Sequence, residues 1–200
     1  VTLVDGLDLD AWAQAIRPDT KIVFFESISN PTLEVIDIVA VADLAHAVGA
    51  LVVVDNVFST PVYSKAIPLG ADIVIYSATK HIDGQGRGLG GVILGTKEVI
   101  RSVVEPFMKH TGGAMSPFNA WMMVKSLETL DLRVRAQVET ATELAKVLEQ
   151  RADLLQVIYP GLQSHPQFDL TQAQMGAGGT VLAIDVGSKK QAFLMMNALK

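Results

Sequence analysis

Four short runs of apolar, largely β-branched residues lie along the first half of the chain, and a segment of helical periodicity separates the first two. The runs occupy residues 21–25, 51–54, 72–76 and 91–94. Residues 37–48, between the first two runs, carry their apolar side chains at the spacing of one helix face, and Gly49 follows as a stop signal. This alternation predicts β–α units around a mostly parallel sheet, whose continuous runs we expect to be buried on both faces.

The pattern changes in the second half of the chain. Residues 117–150 are helical in pattern and lack Gly and Pro after the first position, which predicts one long helix or a pair of helices. Strands are expected at residues 155–159 and 180–185, separated by a loop rich in Gly, Pro, His and Gln that extends to Gly179. A further helix is expected from Lys189 onward.

This change divides the chain into two predicted units. Residues 1–140 form the larger α/β unit, and residues 141–200 form the beginning of a smaller α+β unit. The chain starts at Val1 rather than Met and stops at Lys200 within an apparently helical run. We therefore expect it to be a segment cut from a longer protein.

Composition narrows the classes of function. Half of the residues are apolar, 18% are charged and the net charge is −5, which argues against a disordered chain and against a nucleic-acid-binding surface. The chain has no cysteine, which excludes thiolate metal sites, and we expect no metal site. The absence of cysteine also fits a cytoplasmic protein. The most apolar stretch, residues 36–58, contains Asp37, Asp43, His46 and Asp55, so no membrane span is expected.

Polar residues follow three of the predicted strands where each strand ends. Residues 26–31 (ESISNP) follow the first strand, Asp55 and Asn56 follow the second, and residues 77–81 (SATKH) follow the third. Ligands of open parallel sheets bind beyond the carboxyl ends of the strands. If the three strands are neighbours, these three groups converge on one crevice.

Four of these residues have complementary chemistry. Taken alone, Asp55 reads as a turn-capping carboxylate, Lys80 as a solvated amine, and Ser77 and Thr79 as turn hydroxyls. Taken together, the carboxylate suits a protonated pyridine nitrogen, the amine suits a Schiff base with an aldehyde, and the hydroxyls suit a phosphate. These are the groups that a pyridoxal phosphate (PLP) enzyme requires.

Two other classes of function stay open as alternatives. Residues 86–91 (GRGLGG) have the glycine spacing of a dinucleotide-binding turn, as in a nicotinamide oxidoreductase. That motif should follow a strand and open a helix, whereas here it precedes the β-type run at residues 92–94. A non-catalytic domain that keeps the fold is the other alternative, and the presence of both Lys80 and Asp55 argues against it.

Residues 53–56 (VVDN) and 76–81 (YSATKH) together resemble the Cys/Met metabolism family of PLP-dependent enzymes. Residues 26–31, 112–119 (GGAMSPFN) and 159–166 (YPGLQSHP) extend the resemblance along essentially the whole chain. The resemblance implies an α/β fold of type I, the aspartate-aminotransferase-like PLP-dependent transferase fold. It also implies that an N-terminal phosphate loop and a C-terminal substrate-binding arginine lie outside this chain.

Roles for individual residues are implied by the same resemblance. Lys80 would be the Schiff-base lysine, Asp55 would pair with the pyridinium nitrogen, Ser77 and Thr79 would bind the cofactor phosphate, and Asn30 would lie near the 3′-oxygen of PLP. The resemblance includes Glu26 without fixing its role beyond orienting neighbouring groups. His81 stays open between a proton-transfer group and a hydrogen-bonded structural residue.

One loop bears on the branch of the family. Residues 81–87 (HIDGQGR) are similar to the O-succinylhomoserine sulfhydrylase branch, whereas lyase and synthase branches usually carry a different sequence there. This branch implies that Lys80, in a partly desolvated site, is the base at Cα and then Cβ, that succinate leaves Cγ, and that sulfide adds to give homocysteine. Cystathionine γ-synthase and cystathionine or methionine γ-lyase are the alternatives. The resemblance further implies a cytoplasmic homotetramer, a dimer of dimers, in methionine biosynthesis.

Overall fold

The computed structural model describes residues 1–199. The strands are β1 (Ile22–Glu26), β2 (Leu51–Asp55), β3 (Ile73–Ser77), β4 (Gly91–Gly95), β5 (Gln156–Ile158) and β6 (Ala183–Asp185). The helices are α1 (Leu9–Ala15), α2 (Ile38–His46), α3 (Thr60–Tyr63), α4 (Lys97–Val99), α5 (Glu105–Thr111), α6 (Pro117–Leu127), α7 (Leu130–Glu149), α8 (Phe168–Gln174) and α9 (Lys189–Ala198). Two π-helical segments, Ala78–Ile82 and Ile100–Val104, complete the regular structure.

The first four strands form one mixed sheet in the order β1-β2-β3-β4. β1, β2 and β3 run parallel, and β4 is antiparallel to β3. Glu26 lies opposite Asp55, and Asp55 lies opposite Ile75, so the carboxyl ends of the parallel strands meet at one edge. The predicted strands and their mostly parallel arrangement are therefore confirmed. β5 and β6 form a separate antiparallel pair.

One face of the sheet carries the main core. Helix α2 begins at its cap Asp37, whose Oδ1 accepts a hydrogen bond of 2.9 Å from the Ala40 N–H. Its buried side chains, Ile38, Val41, Ala42 and Ala45, are spaced for one helix face and pack against the sheet. Helices α1 and α6 add to the same cluster through Trp12, Met122 and Met123, and β1–β3 contribute Val23, Phe25, Val52, Val54, Val74 and Tyr76.

The other face of the sheet is open within residues 1–199. Ile22 is 58% exposed, Phe24 is 56% exposed and Leu51 is 39% exposed, although all three lie in strands. The expectation that the apolar runs are buried on both faces is therefore wrong for the described chain. The physical reason is that the described helices that join the main core cluster pack on the Val52 and Val54 side.

The second half differs from expectation in detail. The predicted long helical segment is a pair, α6 and α7, separated at Glu128 and Thr129. The predicted loop before Gly179 contains α8, and strands β5 and β6 have only three residues each. Helix α9 ends at Ala198, and the predicted helical continuation to Lys200 lies outside the described residues. Helix α7 spans residue 140, so the division into two units there stays a prediction.

Helices α3, α4 and α5 were not predicted. Helix α3 has only four residues, and Pro61 lies in its first turn. Helix α4 continues through the π-helical segment Ile100–Val104 into α5, which ends at Thr111 and is capped by Gly112 with a φ of +76°. Among the described helices, none has both the length and the apolar character that a bilayer span requires.

The amide of Gln174 joins α8 to the start of α2. Its Oε1 accepts a 2.8 Å hydrogen bond from the Ile38 N–H, and its Nε2 donates a 3.0 Å hydrogen bond to the Ile36 carbonyl. The first N–H groups of a helix have no partner within that helix. Gln174 therefore supplies the missing acceptor for Ile38 and fixes the second half of the chain to the first.

Replacement of this amide should loosen the contact locally. In Gln174→Ala we expect the Ile38 amide to exchange with deuterium about 3- to 10-fold faster, the size expected for one lost hydrogen bond. Hydrogen–deuterium exchange of peptides that contain Ile38 measures this change. Gln172→Ala is the matched control, since Gln172 lies exposed on the same helix. Equal exchange in the two variants would contradict the account.

Candidate active site

The open face of the sheet carries three polar side chains at its carboxyl edge. Successive side chains of a strand alternate between faces, so residues two apart share a face. Glu26 shares the face of Phe24, Asp55 shares the face of Val53, and Ser77 shares the face of Ile75. The three strands are neighbours, as convergence of their polar ends requires.

Glu26 fixes the turn that follows β1. Its Oε2 accepts a 2.8 Å hydrogen bond from the backbone N–H of Asn30. The turn continues through Ser29, whose Oγ accepts a 3.0 Å hydrogen bond from the Glu34 N–H. Asn30 is exposed. The contact orients the Asn30 backbone, and the role of Glu26 toward a ligand stays a prediction.

Asp55 is half-buried at the end of β2, and its backbone is well anchored. Its Oδ1 accepts a 3.0 Å hydrogen bond from the Val57 N–H, and its carbonyl accepts a 2.9 Å hydrogen bond from the Ser27 N–H. No hydrogen bond within residues 1–199 engages its Oδ2. The turn-capping role and a role toward a ligand are therefore compatible, because they use different oxygens.

A buried polar pair lies next to Asp55. Asn56 is fully buried, and its Nδ2 donates hydrogen bonds of 2.8 Å to the Tyr76 hydroxyl and 3.0 Å to the Ser64 carbonyl. Burial raises the pKa of Tyr76, the Asn56 hydrogen bond opposes that rise, and the charge of Asp55 adds to it. Tyr76 therefore stays a neutral hydroxyl that ties the end of β2 to β3.

The hydroxyls of Ser77 and Thr79 are 2.6 Å apart. Both side chains are half-buried. A hydroxyl that donates to its neighbour keeps acceptor capacity, and the neighbour keeps its own proton to donate. The pair therefore presents a donor at the end of β3.

Lys80 lies at a break in the segment Ala78–Ile82. Its φ of −88° and ψ of −114° are non-helical, while the Asp83 N–H still bonds the Ala78 carbonyl at 2.8 Å. Lys80 is exposed in the described chain, in a loop at the open edge of the sheet. The expectation of a partly desolvated site concerns the complete enzyme with its cofactor bound, so it stays a prediction.

An ion pair that sequence reasoning missed holds the loop after Lys80. Asp83 is fully buried, its Oδ2 accepts a 2.6 Å hydrogen bond from the Arg87 N–H, and its Oδ1 accepts one of 3.0 Å from Arg87 Nε. Burial by itself raises the pKa of Asp83, but the hydrogen bonds and charge of Arg87 outweigh it, and the pKa is lowered. The sequence signal that could have predicted this pair is the spacing of four residues between Asp83 and Arg87, which carry opposite charges in one loop.

His81 is tied to the second half of the chain. Its Nε2 lies 2.7 Å from the Thr180 hydroxyl, and its Nδ1 is buried. Burial lowers the pKa of His81, the Val57 carbonyl opposes that change, and the charge of Arg133 adds to it. These contacts favour the structural interpretation of His81.

The clefts of the chain lie mostly away from these residues. A cleft of about 630 Å³ follows the edge strand β1 and touches the site only at Glu26 and Ser29. Asp55 and Lys80 do not line it. Within residues 1–199, no group of three or more His, Asp or Glu side chains is arranged to hold a metal ion. The candidate site is therefore an open sheet edge rather than an enclosed cavity.

Comparison with known proteins decides the family. Residues 1–200 match the model of the Cys/Met metabolism PLP-dependent enzymes. The chain belongs to this family. Membership confirms the resemblance seen in the sequence, the type I fold and the enzyme class, and PLP is the cofactor of the family.

Relatives within the family differ in activity. The chain is 50% identical over 98% of its length to O-succinylhomoserine sulfhydrylase of Mycobacterium tuberculosis, covering 50% of that protein. It is 47% identical over 96% of its length to the Pseudomonas aeruginosa protein of the same name, covering 48% of it. It is also 33% identical over its whole length to cystathionine gamma-lyase of Bacillus subtilis, covering 52% of it. The chain thus spans about half the length of the curated relatives it matches.

The Asp83–Arg87 pair predicts a pH-dependent effect on stability. Because the pKa of Asp83 is lower in the fold than in the unfolded chain, its stabilisation is present above about pH 4 and is lost as the pH falls through the folded-state value. In Arg87→Ala we expect a lower melting temperature near pH 7. We expect the difference from wild type to shrink as the pH falls below about 4.

Thermal melts between about pH 3 and pH 7 test this expectation. Arg135→Ala is the control, because it removes an exposed pair with Asp131, and exposed ion pairs contribute little to stability. If Arg87→Ala melts at the wild-type temperature at pH 7, the Asp83–Arg87 pair does not stabilise the fold. A difference in melting temperature between variant and wild type that is independent of pH would contradict the expected role of the Asp83 carboxylate.

Proposed function

We propose that Lys80, Asp55, Ser77, Thr79 and Asn30 hold PLP in the protein that contains this chain. The supporting observation is that three neighbouring parallel strands bring a carboxylate, a hydroxyl pair and a lysine to one edge of the sheet. Strand-edge placement of this kind is typical of ligand sites in open α/β sheets.

The chemistry of the donor set fits PLP. The Asp55 Oδ2, which has no hydrogen bond within residues 1–199, suits a protonated ring nitrogen. The Ser77 and Thr79 hydroxyls suit a phosphate, and the exposed Lys80 amine suits an aldehyde. Asn30, on the turn held by Glu26, is assigned to the 3′-oxygen by the family resemblance.

The residues then have defined tasks. Bound PLP supplies an electron sink for negative charge that develops at the substrate carbons. Asp55 holds a proton on the ring nitrogen by its negative charge. Lys80, when its amine is free, would be the base that takes a proton from Cα and, after releasing that proton, one from Cβ.

We infer that the reaction is a γ-replacement on O-succinylhomoserine. The Cγ–O bond breaks, succinate leaves with its electron pair, and a Cγ–S bond to sulfide forms, giving homocysteine. Two relatives with this name at 47% and 50% identity support the inference. So does the similarity of residues 81–87 to that branch, a loop that Asp83 and Arg87 hold in place.

A γ-elimination is the second candidate activity. Canavanine gamma-lyase of Rhizobium leguminosarum is 41% identical over 89% of this chain, and cystathionine gamma-lyase matches at lower identity. Cystathionine γ-synthase, which uses cysteine in place of sulfide, belongs to the same group of alternatives. A cytoplasmic homotetramer acting in methionine biosynthesis completes the proposal.

Product analysis distinguishes these activities. We expect the full-length protein with PLP and O-succinylhomoserine to form homocysteine when sulfide is the acceptor, and little cystathionine when cysteine is the acceptor. The Lys80→Ala variant gives the background, in which neither product should form. Preferential cystathionine, or 2-oxobutanoate released without an acceptor, would contradict the proposed substrate pair in favour of a synthase or a lyase.

A further inference from the structure

The guanidinium of Arg133 on α7 is bonded to the chain that follows Lys80. Its Nη1 donates a 2.9 Å hydrogen bond to the His81 carbonyl, and its Nη2 donates one of 3.2 Å to the Ile82 carbonyl. The same group donates to the Ser126 carbonyl at 3.0 Å and, through Nε, to the Thr129 hydroxyl at 3.1 Å. Arg133 therefore joins the lysine-bearing loop to the junction of α6 and α7.

The two loop carbonyls come directly after the residue with the broken backbone conformation. The Lys80 carbonyl accepts from the Gly84 N–H at 2.7 Å, but the His81 and Ile82 carbonyls have Arg133 as their hydrogen-bond partner. Carbonyls at the end of a helical turn need such an external donor. A guanidinium suits this task, because its donors form a rigid planar fork.

Gly84 makes room for this contact. A Cβ atom at position 84 would overlap Arg133 Nη1, and the residue has a φ of +72°, which favours glycine. The absence of a side chain at Gly84 therefore allows the Arg133 guanidinium to come close enough to bond the two loop carbonyls. An arginine that only faced solvent would need neither this space beside Gly84 nor the bonds to the loop carbonyls.

We propose that Arg133 is a positioning residue for Lys80. By fixing the His81 and Ile82 peptide groups, it sets the direction in which the Lys80 amine leaves the loop. The inference rests on the proposed function, in which Lys80 binds PLP. It adds a residue on a distant helix, 51 positions in sequence from the nearer loop residue, Ile82. The contribution of Arg133 acts through backbone geometry rather than through contact with the cofactor.

The test uses the full-length protein loaded with PLP and the variants Arg133→Ala and Arg133→Lys. The lysine variant keeps the charge and much of the stem but lacks the rigid planar fork that spans the two carbonyls, so it reports on geometry even if Arg133→Ala fails to fold. Arg135→Ala is the matched control on the same helix. Its guanidinium pairs with exposed Asp131 and lies 5.8 Å from the Tyr63 ring centroid.

Two readouts separate positioning from stability alone. The first is the visible circular dichroism of bound PLP divided by its absorbance, which reports the orientation of the ring. The second is the division of the activity loss between kcat and KM. For both Arg133 variants we expect a reduced dichroism ratio and a kcat about 10-fold lower or more, with KM changed by less than about threefold. Arg135→Ala should match wild type.

The experiment distinguishes failure of the proposed PLP site at Lys80 from failure of the positioning role of Arg133. Loss of the visible PLP band in Lys80→Ala supports the proposed site, and its persistence would refute that site whatever the Arg133 variants show. If the band is lost in Lys80→Ala but Arg133→Lys keeps the wild-type dichroism ratio and kcat, the positioning role is refuted. A lowered melting temperature with unchanged spectrum and kcat would equally refute it, since that result describes a purely structural arginine.

Discussion

Parallel backbone pairing of β1, β2 and β3 is the constraint on which the rest of the structure depends. The pairing of Glu26 with Asp55 and of Asp55 with Ile75 brings three strand ends to one edge. The two-residue period of a strand then places Glu26, Asp55 and Ser77 on the same face. A shift of one strand by a single residue would move its polar end to the core face, where a carboxylate without a partner is costly.

The loops beyond these strands are held by charged side chains as well as by apolar packing of residues such as Ile28 and Ile82. Glu26 accepts from the Asn30 amide, Asp83 is paired with Arg87, and Arg133 reaches the carbonyls after Lys80. Hydrogen bonds with one ionised partner are shorter and stronger than neutral ones. This explains how an exposed lysine can lie on a loop of defined backbone conformation while its side chain stays accessible.

Much of the fold was predictable because its signals are local. The apolar runs of β1–β3, the helical spacing of α2 and the polar strand ends are readable within about ten residues. Other features depend on contacts between distant segments. Arg133 reaches a loop about 50 residues away, and Gln174 reaches Ile38. Helix α8 begins at Phe168, and its N-cap residue Gln167 makes no side-chain capping hydrogen bond that the sequence could have indicated. The exposure of one face of the sheet could not be predicted either, because the residues of a strand do not show which of its faces another element covers.

The central claim is that Lys80 is the residue that bonds PLP, and one measurement tests it directly. The full-length protein is incubated with PLP, reduced with borohydride to make any imine permanent, digested and analysed by peptide mass spectrometry. The account predicts that the phosphopyridoxyl group is found on the peptide that contains Lys80, in about one copy per chain. A modification found instead on another lysine, such as the exposed Lys65, with Lys80 unmodified, would contradict it.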